Sequence, residues 1–268
     1  MKLKVLVDNN TFIDEYYLGE PALSYYIEDE DKKILFDTGY SDILIKNAES
    51  MDIDLENIDK IVLSHGHNDH TGGLKYLINQ LHTKDIEVIA HTLCFDKKIF
   101  EDECIGTSVT KKEIENKFRI KLSNIPLKIS ENITFLGEIP TINNFENRDA
   151  IGICKNTNGI IKDYVLDDTA IVYKFKKGLF IITGCSHSGI CNIIEYAKKV
   201  FNENRIYGVI GGFHLFDCND RLNKTIMYFK ENSIKDIYPC HCVSLNAKLE
   251  MGKELNIKEV GVGLQLNI

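Results

Sequence analysis

Residues 61–73 read IVLSHGHNDHTGG, and the organisation of the whole chain can be worked out from this stretch. The apolar run at 61–63 has the character of a strand buried on both faces. Directly behind it, four side chains able to bind a metal (His65, His67, Asp69 and His70) fall within six positions of a chain that has only 8 His. Alternate residues of an extended segment share a face, so His65 and His67 project to one side. Imidazole nitrogens and a carboxylate gathered this closely make a seat for a divalent transition metal. A polar loop that merely happens to be rich in histidine is the competing account, and the density of donors argues against it.

Around this motif the pattern is that of an α/β protein. Short β-prone runs at 4–7, 24–28 and 33–36 alternate with charged turns. An amphipathic helix fits 42–51, a second helix opens after the motif over 74–81, and 87–90 reads as another strand ending at His91. From about residue 95 to 165 the pattern loosens into charged helical turns at 111–118, Pro126, Pro140 and a polar run at 143–149, which suggests a lid-like insertion. Regular alternation returns with a hairpin at 169–175 and 179–183. A helix over 189–201, a strand at 207–210, a helix over 221–231 and a strand at 236–238 follow. Neither a repeat nor a low-complexity linker separates the halves, so the expectation is one layered domain spanning 1–268 with an inserted segment at about 95–165.

Composition bounds the function. The chain has 268 residues, 44% of them hydrophobic and 27% charged, which is ordinary for a globular enzyme. A formal net charge of −8 argues against a nucleic-acid backbone as main partner and leaves a small-molecule substrate as the expectation. The first apolar run is broken by Asp8, too early for a signal-peptide core, and no stretch approaches the roughly 18 apolar residues of a membrane span. The expected location is the cytoplasm, with self-association into a homo-oligomer left open. The 8 Cys form no C-x-x-C pair, so most read as buried free thiols.

One motif supplies only part of a dinuclear site, and strand ends are where further ligands belong. The sequence GCSHSG at 184–189 stands where the hairpin strand stops and a helix begins, and its Cys185 and His187 are two apart. Against a ligand role, Cys185 reads as a small buried thiol and His187 as a helix cap. The sequence PCHC at 239–242 offers His241, with its flanking cysteines as packing residues. In GGFHL at 211–215, His214 reads equally as ligand, proton carrier, substrate contact or core residue. His82, at the end of a surface helix, is set aside, and His91 is a weaker candidate.

With these residues placed, the chain resembles the metallo-β-lactamase superfamily. The resemblance rests on SHGHNDHTGG at 64–73, preceded by a strand that follows FDTG at 36–39. It implies a four-layer αββα sandwich and a metal-dependent hydrolase. The segments at 184–189, 211–215 and 239–242 resemble a branch named for a ribofuranosylaminobenzene phosphate synthase, often labelled dihydropteroate-synthase-like. Residue by residue, the resemblance implies that His65 and His67 hold one metal, that Asp69 and His70 hold a second, and that His241 completes the second site. Most members carry Gly-Asp where this chain has Gly184-Cys185, and a histidine before the hairpin where this chain has Asp167-Asp168. His187 ranks first as replacement ligand, Cys185 second and Asp168 third.

The cofactor implied is a pair of divalent transition metal ions, zinc first and manganese or iron as alternatives. In the hydrolytic reading, metal-activated water attacks a phosphoester, ester or amide, Asp69 orients it and His214 serves the leaving group. Three alternatives accompany this reading: phosphoribosyl transfer of the synthase type, di-iron redox chemistry and a non-catalytic metal-binding protein. The chain has no glycine fingerprint for the flavin partner that redox relatives use.

Overall fold

The strand, hairpin and crossover signals of the sequence resolve into two large sheets in the computed structural model, which describes residues 1–83, 85–156 and 159–268. Residues 157 and 158, in the stretch expected to form a lid-like insertion, lie outside the described residues. The chain divides into two compact units. The first comprises Met1–Asn124, Ala150–Asp167 and Gly261–Ile268, the second Ile125–Asp149 and Asp168–Val260.

In the first unit a seven-stranded sheet runs, in spatial order, Gln265–Asn267, Lys2–Val7, Ser24–Asp29, Lys32–Phe36, Lys60–Val62, Glu87–Ala90 and Arg119–Leu122. The last four strands are parallel. The motif and its supports stand at the carboxyl ends of these strands, where open α/β sheets bind ligands. Leu35, Ile61, Leu63 and Val88 are buried against Leu44 and Ala48 of helix Ile43–Ser50 and Leu74 and Leu77 of helix Leu74–Gln80. Helix Lys111–Lys117 begins with a capping box in which Thr110 and Glu113 satisfy each other's backbone amides.

In the second unit a six-stranded sheet has the order Asp236–Pro239, Ile206–Gly211, Gly178–Thr183, Ala170–Phe175, Ile133–Phe135 and Leu127–Lys128. Gly178–Thr183 is buried along its whole length, which explains its unbroken apolar run. It pairs in parallel with Ile206–Gly211, and that strand with Asp236–Pro239, so three neighbouring strands end on the same side. Helices Ile190–Phe201 and Asp220–Glu231 return the chain between them.

Several elements go beyond the sequence expectation. Residues 95–165 are not uniformly loose: Lys97–Phe100, Glu103–Cys104, Ile153–Asn156 and Gly159–Lys162 form a small four-stranded sheet in the first unit. Strand Arg119–Leu122 joins the large sheet of the first unit and Ile133–Phe135 that of the second. After the last predicted strand comes helix Leu245–Glu254, capped by the Ser244 hydroxyl. Its Leu245 and Leu249 are 71% and 61% exposed, which blurs the apolar stripe by which such a helix is read. Among the described residues no helix is long and apolar enough to cross a membrane.

Candidate metal centre

Strand Lys60–Val62 delivers the chain into the segment Leu63-Ser64-His65-Gly66-His67, which bends at Ser64 and Gly66, and then a four-residue helix, Asn68–Thr71. The turn Asp37-Thr38-Gly39, at the end of the neighbouring strand, holds this segment in place. The Asp37 carboxylate is buried, with its backbone in the left-handed region at φ +57°. Its Oδ1 accepts from the Ser64 backbone amide at 2.7 Å, and its Oδ2 accepts from the Ser64 hydroxyl at 2.7 Å. The same Oδ2 lies 2.7 Å from His70 Nδ1. Thr38 adds two bonds to the His70 carbonyl, from its amide at 2.7 Å and its hydroxyl at 3.0 Å. A Cβ on Gly73 would stand 2.0 Å from the Thr38 carbonyl, so only glycine lets the two turns approach this closely.

These bonds determine which imidazole nitrogens can face a metal. A carboxylate only accepts, so His70 donates through Nδ1, and in the neutral ring the lone pair lies on Nε2. Ser64 gives its one proton to Asp37, so its oxygen accepts from His65 Nδ1 at 2.9 Å, and His65 Nε2 likewise keeps a lone pair. Carboxylate partners of this kind set the tautomer and basicity of metal-binding histidines. His65 Nε2 faces His67 Nδ1 at 3.0 Å. Two nitrogens bound 2.0–2.1 Å from a tetrahedral ion would be about 3.3 Å apart, so the pair fits a shared metal. Asp69 Oδ2 lies 3.5 Å from His70 Nε2, and Asp69 keeps part of its side chain open to solvent.

The electrostatics agree with cation binding. Burial depresses the His70 pKa, but the charges of Asp69 and Asp37 prevail and raise it well above the ordinary histidine value. The same carboxylates would favour a metal cation at that place. His67 titrates below the ordinary value because it is buried. His65, Asp69 and His70 are among the side chains of the first unit suited to hold an ion. His91 is buried and accepts from the Leu93 amide at 3.3 Å through Nδ1. His82 is exposed and pairs with Glu56 at 2.9 Å.

In the second unit the three predicted segments stand at the ends of the three parallel strands. Cys185 and His187 follow Gly178–Thr183, His214 follows Ile206–Gly211, and His241 follows Asp236–Pro239. Ser186, His214 and His241 all adopt left-handed backbone, at φ +57°, +49° and +49°. Such strain in non-glycine residues gathers at functional sites. Ser186 is buried, lies 3.0 Å from the Thr183 hydroxyl and donates to the Gly212 carbonyl at 2.7 Å, fixing the loop between Cys185 and His187. The rings of His187 and His214 are 4.5 Å apart. Cys242 donates toward the Cys185 carbonyl at 3.5 Å, which gives that cysteine a packing place beside Cys185. Cys185, His187 and His241 are the second unit's candidate ligands.

The two aspartates before the hairpin have different partners. Asp168 Oδ2 accepts from the Ser188 amide at 2.9 Å and from its hydroxyl, anchoring the loop that carries His187. Burial raises its pKa, opposed by Arg148 and Ser188. Asp167 belongs to the first unit: it accepts from Lys98 Nζ at 2.8 Å and from the Gly66 amide at 2.7 Å. Its pKa is lowered because Lys98 outweighs the opposing burial. Asp37, Ser64, Lys98 and Glu146 carry no functional role in the sequence reading. The DTG turn is the visible signal for Asp37 and the motif at 64–73 that for Ser64; nothing local marks Lys98 or Glu146.

The family model of the metallo-beta-lactamase superfamily matches residues 18–93, the stretch containing the DTG turn and the histidine motif. The chain is 35% identical over 264 residues to the 7,8-dihydropterin-6-methyl-4-(beta-D-ribofuranosyl)-aminobenzene-5'-phosphate synthase of Methanocaldococcus jannaschii, covering 92% of this chain and 89% of that one. It is 36% identical over 269 residues to an uncharacterized protein of the same archaeon, covering 99% and 100%. A crystal structure described as a metal-dependent hydrolase of the beta-lactamase superfamily superposes with a TM-score of 0.86 at 30% identity, covering 100% and 99%. The chain belongs to the metallo-beta-lactamase superfamily and has its fold. Within that superfamily it sides with the ribofuranosylaminobenzene phosphate synthase-like proteins, in line with the segments at 184–189, 211–215 and 239–242.

Proposed function

We propose that this chain is a metal-dependent hydrolase with a dinuclear centre, acting on a small-molecule phosphoester, ester or amide. The observation that carries the reading is the Asp37–Ser64 network, which holds Nδ1 of His65 and His70 so that each neutral ring would turn Nε2 to a metal. In this reading His65 and His67 would hold one ion and Asp69 and His70 a second, with Cys185, His187 and His241 as the second unit's candidate ligands. A Cys185 thiolate in the donor set would favour zinc over harder ions. Bound there, the ions would polarise a carbonyl or phosphoryl oxygen and lower the pKa of water.

The chain's own side chains supply the remainder. Asp69, partly open to solvent, orients the attacking water and accepts its proton. His214, half-buried beside the ring of His187, carries a proton to the leaving group. The whole chain works as one domain in this reading, with residues 95–165 shaping the substrate site. The net charge of −8 supports a small-molecule substrate over nucleic acid.

A second reading has specific support. The relative at 35% identity is named a synthase, for a product that contains a dihydropterin and a ribofuranosylaminobenzene 5'-phosphate. Both readings are tested on zinc-, manganese- and iron-loaded protein. A chromogenic panel of phosphodiester, phosphomonoester, ester, lactone and β-lactam substrates reports hydrolysis. A mass-spectrometric assay for joining a dihydropterin to a ribofuranosylaminobenzene phosphate reports synthesis. Panel turnover that is lost in His67→Ala and His241→Ala supports the hydrolase; joining without panel turnover replaces it with the synthase. Silence in both assays overturns the catalytic reading.

A further inference from the structure

The small four-stranded sheet sends one charged side chain into the interior of the first unit. Lys98, on strand Lys97–Phe100, is 1% exposed, an extreme burial for an ammonium group. Its Nζ is held by Asp163 at 3.1 Å and by Asp167 at 2.8 Å, both carboxylates being buried as well. Asp167 has a second bond: its other oxygen accepts the backbone amide of Gly66 at 2.7 Å. Gly66 is the residue between His65 and His67. A Cβ there would meet the Cys94 carbonyl at 2.0 Å and Lys98 Cε at 3.0 Å, so the backbone is pressed onto this cluster.

The same segment grips the motif again nearby. The Asn68 amide donates to the Ile105 carbonyl at 2.8 Å, and the Ile105 amide donates to the Lys98 carbonyl at 3.1 Å. His67 and Gly106 form an isolated bridge. Both oxygens of Asp167 are thus engaged in holding backbone and ammonium. A buried charge cluster of this kind is tolerated only while its partners are all present, and removing one leaves an uncompensated charge.

We propose that Lys98 is a positioning residue for the metal centre: through Asp167 it fixes the Gly66 amide, and with it the angle between His65 and His67. The proposal rests on the reading that those histidines bind metal. Asp163 balances the charge of Lys98 without touching the motif, so its loss should leave the histidine pair in place.

The test compares the full-length protein with Lys98→Met, Asp167→Asn and Asp163→Asn. Zinc affinity is measured by competition with a chromogenic chelator, cobalt-substituted visible spectra report ligand geometry, and melting curves report stability. Lys98→Met and Asp167→Asn are expected to weaken zinc about 10–100-fold, as loss of supporting partners typically does, and to shift the cobalt bands. Asp163→Asn should lower the melting temperature yet leave zinc affinity and cobalt bands as in the parent. If Lys98→Met does not fold, Asp167→Asn against Asp163→Asn carries the comparison. Equal zinc losses in all variants with unshifted bands would overturn the positioning role and leave a purely structural cluster. A parent protein that binds no zinc or cobalt would instead sink the metal reading itself.

Discussion

Replacing Asp37 by asparagine changes one oxygen to an amide nitrogen and tests the whole account of the metal motif. The buried carboxylate accepts three hydrogen bonds, from the Ser64 amide, the Ser64 hydroxyl and His70 Nδ1, each at 2.7 Å. The asparagine side chain can keep its oxygen on the Ser64 amide. Its nitrogen then stands where Oδ2 accepted from both the hydroxyl and the imidazole, and a nitrogen of this kind only donates. His70 must turn its Nδ1 into an acceptor and carry its proton on Nε2, the atom a metal needs. Two charge-assisted bonds of about 1.5–3 kcal/mol each are lost or inverted, so Asp37→Asn should cost about 3–5 kcal/mol in the metal-free protein. At roughly 2–4 °C per kcal/mol for a chain of this size, the melting temperature falls by on the order of 10 °C.

Metal affinity should fall further than stability alone requires, by about 10–100-fold in a chelator competition. Nitrogen-15 NMR of metal-free, histidine-labelled protein, at a pH above the raised His70 value where the ring is neutral, reads the tautomer directly: His70 should carry its proton on Nδ1 in the parent and on Nε2 in Asp37→Asn. A variant that still shows the parent tautomer, or that binds zinc as the parent does, would refute the argument that Asp37 presents the ligand.

Three further outcomes follow from the same geometry. Because Asp69 and Asp37 raise the His70 pKa against its burial, the stabilisation it gives the metal-free protein is complete below the unfolded value of about 6.5 and is lost as pH rises through the higher folded value. Urea midpoints of the metal-free protein should therefore decline on the alkaline side, and calorimetry in buffers of differing ionisation enthalpy should show a proton released on zinc uptake. Gly73→Ala forces a Cβ to 2.0 Å from the Thr38 carbonyl and should cost at least about 1–3 kcal/mol in urea melts, whereas Gly252→Ala, whose nearest neighbour is 3.7 Å away within helix Leu245–Glu254, should be neutral or stabilising by up to about 1 kcal/mol. Glu146 accepts the Cys191 and Asn192 amides at 2.9 and 2.8 Å at the start of helix Ile190–Phe201, so Glu146→Gln should lower stability by about 1–2 kcal/mol; an unchanged melt would remove its capping role.

Legibility in the sequence followed the strength of local pattern. Strand Glu87–Ala90, the hairpin strands and helix Ile190–Phe201 carry regular apolar spacing and lie where that spacing placed them. Helix Leu245–Glu254 buries only Ala247 and Met251, so its period is faint. The strands of the small sheet are two to four residues long, which is too short for alternation to register. Strand Gln265–Asn267 exists because the amino-terminal strand Lys2–Val7 pairs with it, a contact no neighbouring residue announces.

The same distinction separates the candidate donors from the residues that hold them. His65, His67, Asp69 and His70 announce themselves because their chemistry is written within a few residues of chain, and Cys185, His187 and His241 because each sits at a strand end. Their supports act across distance: Asp37 reaches His70 over 33 residues, Glu146 reaches Cys191 over 45, and Lys98 reaches Asp167 over 69. A lone aspartate, glutamate or lysine in a charged stretch reads as solvated surface, and only the folded chain turns it into a buried partner. This bears on function. The donor motif is the part shared across a superfamily of many reactions, so it points to metal chemistry without choosing a substrate. On the proposed reading substrate choice falls to the segments beside the motif, and residues 95–106 bring both Lys98, bonded to Asp167, and backbone bonds to the motif. Exchanging that segment with a relative's should therefore alter metal affinity as well as substrate preference, and a change in preference alone would show that the support and the substrate site are separable.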